Sequence, residues 1–500
     1  MSLSQYDAII VGAGPAGCAA ARLLAAWHHR VLLVDKPGGQ SRTLAESIPP
    51  SAQKLLATLG MLATVEDAGF VPWRGNTVWW ADAPPRVESF AAGTAGYQVV
   101  RRRFDDLLRD LAVQSGADVR PGLVRDVSVP SLDGEPAGAD PSVLVESDGH
   151  SSRVTAPMLL DCSGRAGVIA RKGLRDAGAS PPTVALVGVW QDDAGFGGAN
   201  PTHTLVASYG DGWAWSVPTA PGVRYVTMMI DPARTALARG GQALDVYRAE
   251  LGKVAAFEPL WQRARLIDGP WGADASTYSA RRFAGADFLL AGDAGSFIDP
   301  LSSFGVKKAL ASGWLAAVVT HTALRTPSMR DQAVAFFDRR ERELAVAAMR
   351  LAGQFAADVA AGGPRPFWLA RATSPAEEPE EGVDAAALAQ DPSVVAAFQD
   401  LRRRPRLNLR RGPTVAYVSR PAIRGLEIVM DDHLQLPRWP EGLRYLRNVD
   451  LITLARLAPN FGDVGQLYEA LARIQPDVLL PDFLGALSVL IEQGALEHAD

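Results

Sequence analysis

The stretch DAIIVGAGPAGCAAARLLAA, residues 7–26, decides the fold of this chain. Its apolar start predicts a buried strand, the glycines predict a tight turn, and the small residues after them predict a helix. Gly12 and Gly14 let the backbone approach a bound pyrophosphate, and Gly17 lets the helix pack close to the strand. The start of such a helix offers free N–H groups and a partial positive charge to an anion. The stretch therefore predicts a phosphate-binding strand–turn–helix unit.

The next segment, HRVLLVDK at residues 29–36, predicts a second strand that ends at Asp35 and Lys36. Asp35 follows the glycines by about twenty residues, the position from which an acid accepts hydrogen bonds from ribose hydroxyls. Together, the strand, the glycine turn, the helix and this acid predict a Rossmann-type α/β domain that binds a dinucleotide.

Composition narrows the class of protein. The chain has 500 residues, of which 48% are hydrophobic and 21% charged, so it can bury a sizeable core. A net charge of -5 gives no broad attraction to nucleic acid or to anionic membranes. Its two cysteines, Cys18 and Cys162, cannot build a disulfide framework or a multi-cysteine metal site, and no metal ligands are predicted. We expect a soluble protein of the reducing cytoplasm.

Three later segments indicate which dinucleotide is bound. FLLAGDAGSFIDPLSSFG at 288–305 resembles the second FAD motif of flavin monooxygenases, in which the residue at Asp293 binds a ribityl hydroxyl. The backbone after Pro300 would then lie at the pyrimidine edge of the flavin. LLDCSGRAG at 159–167 resembles the Asp-x-x-Gly segment of the same fold, and GYQVVRRRFDDLLRDLA at 96–112 resembles its strand-to-helix element.

The resemblance implies FAD as the cofactor and Arg101 as a contact of its diphosphate. The neighbouring Arg102 and Arg103 leave open that Arg101 is only a surface helix residue. The candidate cofactor-binding residues are Gly12, Gly14, Ala16, Gly17, Asp35, Lys36, Arg101, Asp161, Gly164, Gly292, Asp293, Pro300, Gly305 and Val306.

Two motifs narrow the branch of flavoenzymes. GWAWSVP at 212–218 matches a Trp-x-Trp-x-Ile-Pro pattern with valine for isoleucine, and residues 297–305 match Phe-x-x-Pro-x-x-Ser-x-Gly. Over about residues 5–350 the chain therefore resembles the flavin-dependent halogenases and their relatives. Alternating segments from 184 to 231 predict an antiparallel sheet, within about 180–280, that covers the flavin and carries substrate contacts.

One expected residue is missing. Flavin halogenases use a lysine to carry the oxidised halogen, and in FVPWRGNTVWWAD at 70–82 the matching position is Trp73, followed by Arg74. No lysine occurs between Lys54 and Lys172, and a permanently protonated arginine is a poor substitute. The acid that precedes the motif serine in tryptophan halogenases is replaced by Ser302.

The resemblance without its lysine implies FAD-dependent monooxygenation of an aromatic substrate through a flavin C4a-hydroperoxide. The candidate catalytic residues are Trp73, Arg74, Trp213, Trp215 and Ser303, with His203 and Tyr209 added by location alone. Trp79, Trp80 and Trp190 are further candidates for a flat-walled aromatic pocket, although core filling is an equal alternative.

A chain of this type also resembles, more loosely, the flavoproteins that oxygenate a tryptophan in partner proteins to make tryptophylquinone cofactors. The expected partners are an aromatic substrate, free or carried on a peptide or protein, and NAD(P)H or a flavin reductase as electron source. Three alternatives stay open: a halogenase with a non-lysine halogen carrier, a non-catalytic flavin-binding protein, and a desaturating oxidase.

The C-terminal part forms a separate domain in this interpretation. The predicted organisation is a catalytic domain at 1–370, a Pro- and acid-rich linker at 371–384, and a small helical domain at 385–500. Strands followed by three short helices in the last domain resemble a winged-helix module. It could dock a peptide substrate, act as a structural or dimerisation cap, or bind DNA.

Overall fold

The computed structural model describes residues 6–37, 43–133, 139–176, 181–196, 200–372, 388, 391–403 and 406–499. The chain divides into two compact units, Met1–Ala376 and Glu377–Asp500. Nearly all of the predicted linker lies outside the described residues, so its extent stays a prediction.

The strands of the first unit, in chain order, are β1 (Ala8–Val11), β2 (Val31–Asp35), β3 (Ala45–Ile48), β4 (Val71–Trp73), β5 (Gly75–Trp79), β6 (Arg86–Ser89), β7 (Gly96–Val100), β8 (Asp118–Pro121), β9 (Leu123–Ser128), β10 (Ser142–Ser147), β11 (His150–Thr155), β12 (Leu159–Asp161), β13 (Arg175–Asp176), β14 (Val184–Gln191), β15 (His203–Tyr209), β16 (Gly212–Ala220), β17 (Val223–Ile230), β18 (Arg265–Asp274), β19 (Tyr278–Ala280), β20 (Ala284–Gly285), β21 (Phe288–Leu290) and β22 (Ser296–Phe297).

The helices of this unit are α1 (Pro15–Ala26), α2 (Gln53–Thr58), α3 (Leu62–Asp67), α4 (Arg101–Gln114), α5 (Pro130–Asp133), α6 (Ala243–Leu251), α7 (Glu258–Trp261), α8 (Gly305–Arg325), α9 (Arg330–Ala360) and α10 (Pro366–Ala372).

The nucleotide-binding core is a six-stranded sheet in the order β20-β21-β12-β1-β2-β8, parallel except for β20. All four residues of β1 are buried, as expected for a central parallel strand covered on both faces. Helix α1 packs close to α8, where a side chain at Gly313 would clash with the backbone of Ala16. The predicted Rossmann-type α/β fold is confirmed.

A second, seven-stranded sheet has the order β18-β14-β17-β16-β15-β5-β6. The four strands predicted between residues 184 and 231 are confirmed as β14–β17, which pair antiparallel in the order given. Strand β5 lies in the tryptophan-rich segment and pairs in parallel with β15, which sequence reasoning did not predict. Side chains alternate along these strands, so the sheet has one face lined by Trp213 and Trp215 and an opposite face covered by α6.

The second unit contains β23 (Leu409–Arg411), β24 (Ala416–Arg424), β25 (Glu427–Leu436), β26 (Trp439–Leu443), β27 (Tyr445–Leu446), β28 (Val449–Asp450), β29 (Leu496–His498), α11 (Pro392–Arg403), α12 (Leu451–Leu457), α13 (Val464–Ile474) and α14 (Leu480–Glu492). Helix α11 precedes the strands, α12–α14 follow β28, and β29 ends the unit. Trp439 and Phe483 are fully buried in the apolar core of this unit. The assignment to the winged-helix class stays a prediction.

Among the helices that the structure describes, none combines the length and the apolar character that crossing a membrane requires.

Candidate functional site

The phosphate-binding turn is shaped by close backbone packing. Gly12 has φ +101°, and a Cβ atom there would lie 2.5 Å from the carbonyl oxygen of Cys162, so only glycine fits. A Cβ on Gly14, in contrast, would meet no atom of the described chain within 4 Å. The turn therefore presents open space at Gly14, where the backbone can approach a ligand.

Asp35 is fixed beside this turn at the end of β2. Its Oδ1 accepts a hydrogen bond from the backbone N–H of Ala13 at 3.1 Å, and its Oδ2 lies 3.8 Å from a guanidinium nitrogen of Arg109. The carboxylate stays partly exposed, as a ribose-binding acid must be. Lys36, the next residue, is exposed.

Arg101 begins α4 and carries a half-buried guanidinium, whereas Arg102 and Arg103 are exposed. It donates two hydrogen bonds to Asp105, at 3.1 and 3.0 Å, and lies 3.6 Å from Glu46. Burial alone lowers the pKa of Arg101, but the charges of Asp105 and Glu46 raise it above the usual value. Sequence reasoning missed both acids, although Asp105 stands one helical turn after Arg101, a spacing that signals such a pair.

Asp161 is the last residue of β12. Its side chain is fully buried and accepts hydrogen bonds from Ser163 and from the backbone N–H of Ile169. Burial raises the pKa of this carboxyl. Asp161 thus shapes the loop that follows β12, and its expected contact with the cofactor stays a prediction. Gly164, in that loop, has φ +62° and faces open space.

The second motif forms another turn against α8. Gly292 has φ +63° and donates its backbone N–H to Ser312 Oγ at 2.9 Å. The side chain of Asp293 is 33% exposed, so its carboxylate is available to a ligand. A short 3₁₀ turn spans Pro300–Ser302, and Ser303, which follows it, has φ +51°.

Helix α8 begins immediately after this turn. Gly305 is its first residue and faces open space, and Val306 is buried. The helix N-terminus thus directs unsatisfied backbone N–H groups towards the turn.

These features fit FAD. The open space at Gly14, which we call the cradle, suits a pyrophosphate. The partly exposed carboxylates of Asp35 and Asp293 suit ribose and ribityl hydroxyls, respectively. The start of α8 suits the electron-rich edge of the flavin ring.

An aromatic wall stands on the inner face of the seven-stranded sheet. Trp213 and Trp215 stack with ring centroids 4.8 Å apart, and they belong to the same apolar cluster as Phe297 and Leu301 of the second motif. Trp213 is buried and Trp215 is partly exposed. The structure thus brings the two motifs together into one apolar, aromatic surface.

Trp73 and Arg74 lie apart from that cluster. The Trp73 indole is 4% exposed, packs edge-on against Phe90 and donates its N–H to the Gly75 carbonyl. Arg74 is exposed.

Four candidates named by location lie on the opposite face. His203 and Tyr209 point the same way along β15, and Tyr209 donates a hydrogen bond to Glu250 of α6 at 3.0 Å. Burial lowers the pKa of His203 and raises that of Tyr209. Trp79 and Trp190 belong to the same apolar cluster beneath α6. Side chains alternate between the two faces of a sheet along each strand. These four side chains point to the face covered by α6, so none of them lies on the face of the aromatic wall.

Comparisons with known proteins agree with this geometry. A family model described as FAD binding domain matches residues 5–319. A tryptophan 2-halogenase from Chondromyces crocatus is 30% identical over 352 residues, which cover 67% of this chain and 65% of that protein.

Two solved structures share the fold. The flavin-dependent halogenase CmlS aligns with a TM-score of 0.76 and 23% identity, covering 100% of this chain and 96% of its own. The peptidyl tryptophan dihydroxylase QhpG, essential for tryptophylquinone cofactor biogenesis, aligns with a TM-score of 0.67 and 22% identity. That alignment covers 98% of this chain and 100% of the dihydroxylase.

Proposed function

The chain belongs to the FAD-binding domain family and binds FAD, and from this premise we propose that it is an FAD-dependent monooxygenase that hydroxylates an aromatic substrate. The favoured substrate is a tryptophan side chain in a peptide or protein. The proposed site of action is the cytoplasm.

The observation that carries the proposal is the residue at position 73. Where the halogenases carry a lysine, this chain has a buried tryptophan whose polar N–H is already bound to the Gly75 carbonyl. The stretch 55–171 contains no lysine. Without an amine at this position to hold the oxidised halogen, we expect the flavin's reaction with dioxygen to end in oxygen transfer to the substrate.

The residues of the chain divide the work. Reduced FAD, when bound, supplies the activation of dioxygen. Gly12, Gly14 and Asp35 hold the adenosine diphosphate end, and Asp293 holds the ribityl chain. Trp213 and Trp215 exclude water from the reacting face and offer an aromatic ring a flat surface to stack on.

A protein-borne substrate is supported by the second unit. The fold similarity to the peptidyl tryptophan dihydroxylase extends over 98% of this chain, so it includes the C-terminal unit as well as the flavin domain. We propose that the second unit docks the peptide or protein substrate. NAD(P)H or a separate flavin reductase is the proposed electron source.

The direct test supplies purified holoprotein with a flavin reductase, NADH and oxygen, and offers tryptophan-containing peptides beside free tryptophan and small phenols. Products heavier by one or two oxygen atoms on the tryptophan peptides support the proposal. Oxygenation of the small phenols alone would contradict the peptide assignment.

Halogenation is the second candidate, because the matched relatives include halogenases. One further observation favours it: Lys307, near the start of α8, has a solvent-accessible ammonium that contacts Ser51 Oγ at 3.0 Å. If Lys307 carried the halogen, Lys307→Met would abolish a brominated product that the wild type forms in bromide.

A further inference from the structure

Lys308 is a buried cation behind the second FAD motif. Its side chain is 2% exposed, and its ammonium donates to the carbonyl oxygen of Ser296, to Ser296 Oγ at 3.2 Å and to Asp293 Oδ1 at 3.4 Å. An ammonium has three N–H donors, so all three can be engaged by these acceptors. The contacts join α8 to both ends of the Asp293–Ser296 segment.

Lys308 thereby holds the carboxylate of Asp293 from the buried side of the turn. The side chain of Asp293 is 33% exposed, whereas the Lys308 side chain that donates to it is buried. A charge-assisted hydrogen bond from a fixed donor restricts the carboxylate to few orientations. Lys308 thus fixes the orientation of the Asp293 carboxylate, while its own ammonium stays buried and out of contact with solvent.

Glu341 supplies a second buried charge behind the same turn. It lies on α9, is 4% exposed, and its Oε2 has no hydrogen-bond partner among the described residues. Its other contact is Ser312, the residue whose Oγ accepts the backbone N–H of Gly292. Burying a carboxylate with one unpaired oxygen costs folding free energy, which indicates that Glu341 has a role at this position.

We propose that Lys308 and Glu341 are positioning residues of the flavin site. Lys308 orients the Asp293 carboxylate towards the cofactor, and Glu341 anchors the Gly292 turn through Ser312. The proposal rests on FAD binding and is independent of whether the flavin transfers oxygen or halogen.

The electrostatic surroundings are consistent with this role. Burial raises the pKa of Glu341 to about 7, and the charge of Lys308, the Ser312 hydrogen bond and the charge of Arg340 oppose that rise. Cys162, beside the first glycine turn, also lies within electrostatic range of Glu341. Glu341 therefore changes its charge near neutral pH while it contacts Ser312, which holds the Gly292 turn.

The test measures FAD affinity by flavin fluorescence, with no substrate and no turnover. Lys308→Met should weaken FAD binding roughly tenfold or more, the equivalent of losing one charge-assisted hydrogen bond. Lys253→Met, at an exposed lysine paired with Asp211, is the control and should change affinity less than about twofold. Equal effects of the two variants would overturn the proposal.

A double-mutant cycle separates positioning from loss of folding. Asp293→Asn also weakens FAD binding, and Lys308→Met should add little to it, because the lysine acts through that carboxylate. Fully additive effects would overturn the proposal.

Glu341→Gln gives an independent outcome if Lys308→Met does not fold. It should flatten the pH dependence of FAD affinity around neutrality, whereas the exposed control Glu343→Gln should leave the wild-type profile. An unchanged profile in Glu341→Gln would contradict the role of the buried pair.

Discussion

Glutamine at position 341 should stabilise the first unit at neutral pH and leave its stability unchanged in acid. The carboxyl of Glu341 has an ordinary pKa of 4.5, and burial raises that pKa to about 7 in the folded protein. Below the ordinary value, both folded and unfolded chains hold the proton. As the pH rises from there towards about 7, the unfolded chain releases the proton first, so the folded state loses stability across this window.

The size of the effect follows from the shift. A difference of roughly 2.5 pH units, at 1.36 kcal/mol per unit, amounts to about 3 kcal/mol of lost stability once the window is passed. An unfolding entropy of about 2.1 cal/mol/K per residue converts this into a melting-temperature difference of about 4 °C for a unit of 376 residues. Glutamine mimics the protonated acid, so the variant should avoid this loss.

The assay is calorimetric unfolding of FAD-saturated wild type, Glu341→Gln and the exposed control Glu343→Gln at a series of pH values. As the pH rises to neutrality, the melting temperature of Glu341→Gln should increase relative to that of the wild type. The melting temperature of the control should stay equal to that of the wild type at each pH. A difference independent of pH, or one that favours the wild type at neutral pH, would refute the reasoning.

Two further predictions use matched pairs of residues. Trp213→Ala should destabilise the protein by about 3–5 kcal/mol, because it empties a buried site. Trp215→Ala, at a partly exposed position, should reduce stability less and chiefly raise KM for the aromatic substrate. Thermal unfolding and steady-state kinetics distinguish the two variants, and identical behaviour would argue against the proposed aromatic wall. Gly14→Ala should fold but lose FAD, because its methyl group fills the open cradle, whereas Gly17→Ala should fail to fold, because its methyl group clashes with the Gly12 carbonyl. Circular dichroism and flavin absorbance check this pair, and tight FAD binding by folded Gly14→Ala would contradict the assignment of the cradle.

Local patterns predicted much of the fold. The period of two from 184 to 231 identified four strands. The glycine turn and Asp35 were found because their chemistry requires residues at fixed spacing, and the structure places them side by side.

Non-local pairing was beyond the reach of those patterns. Strand β5 joins the sheet by pairing with β15, which is more than a hundred residues away in sequence. No pattern within either segment predicts that the two strands pair or in which register. The same limit explains His203 and Tyr209: alternation shows that they share a face, but which face meets the flavin depends on packing elsewhere. Lys308 and Glu341 lie on separate helices, so their pairing was equally hidden.

The most direct test of oxygen transfer is the mass of the product formed in ¹⁸O₂ with excess bromide present. Holoprotein, a flavin reductase, NADH and a tryptophan peptide would be combined under labelled oxygen, with a lysine-containing flavin halogenase as the positive control for bromination. We expect a bromine-free peptide that carries the heavy oxygen isotope on its tryptophan. A brominated product, or an oxygenated one whose oxygen comes from water, would show that oxygen transfer from the flavin is not the reaction.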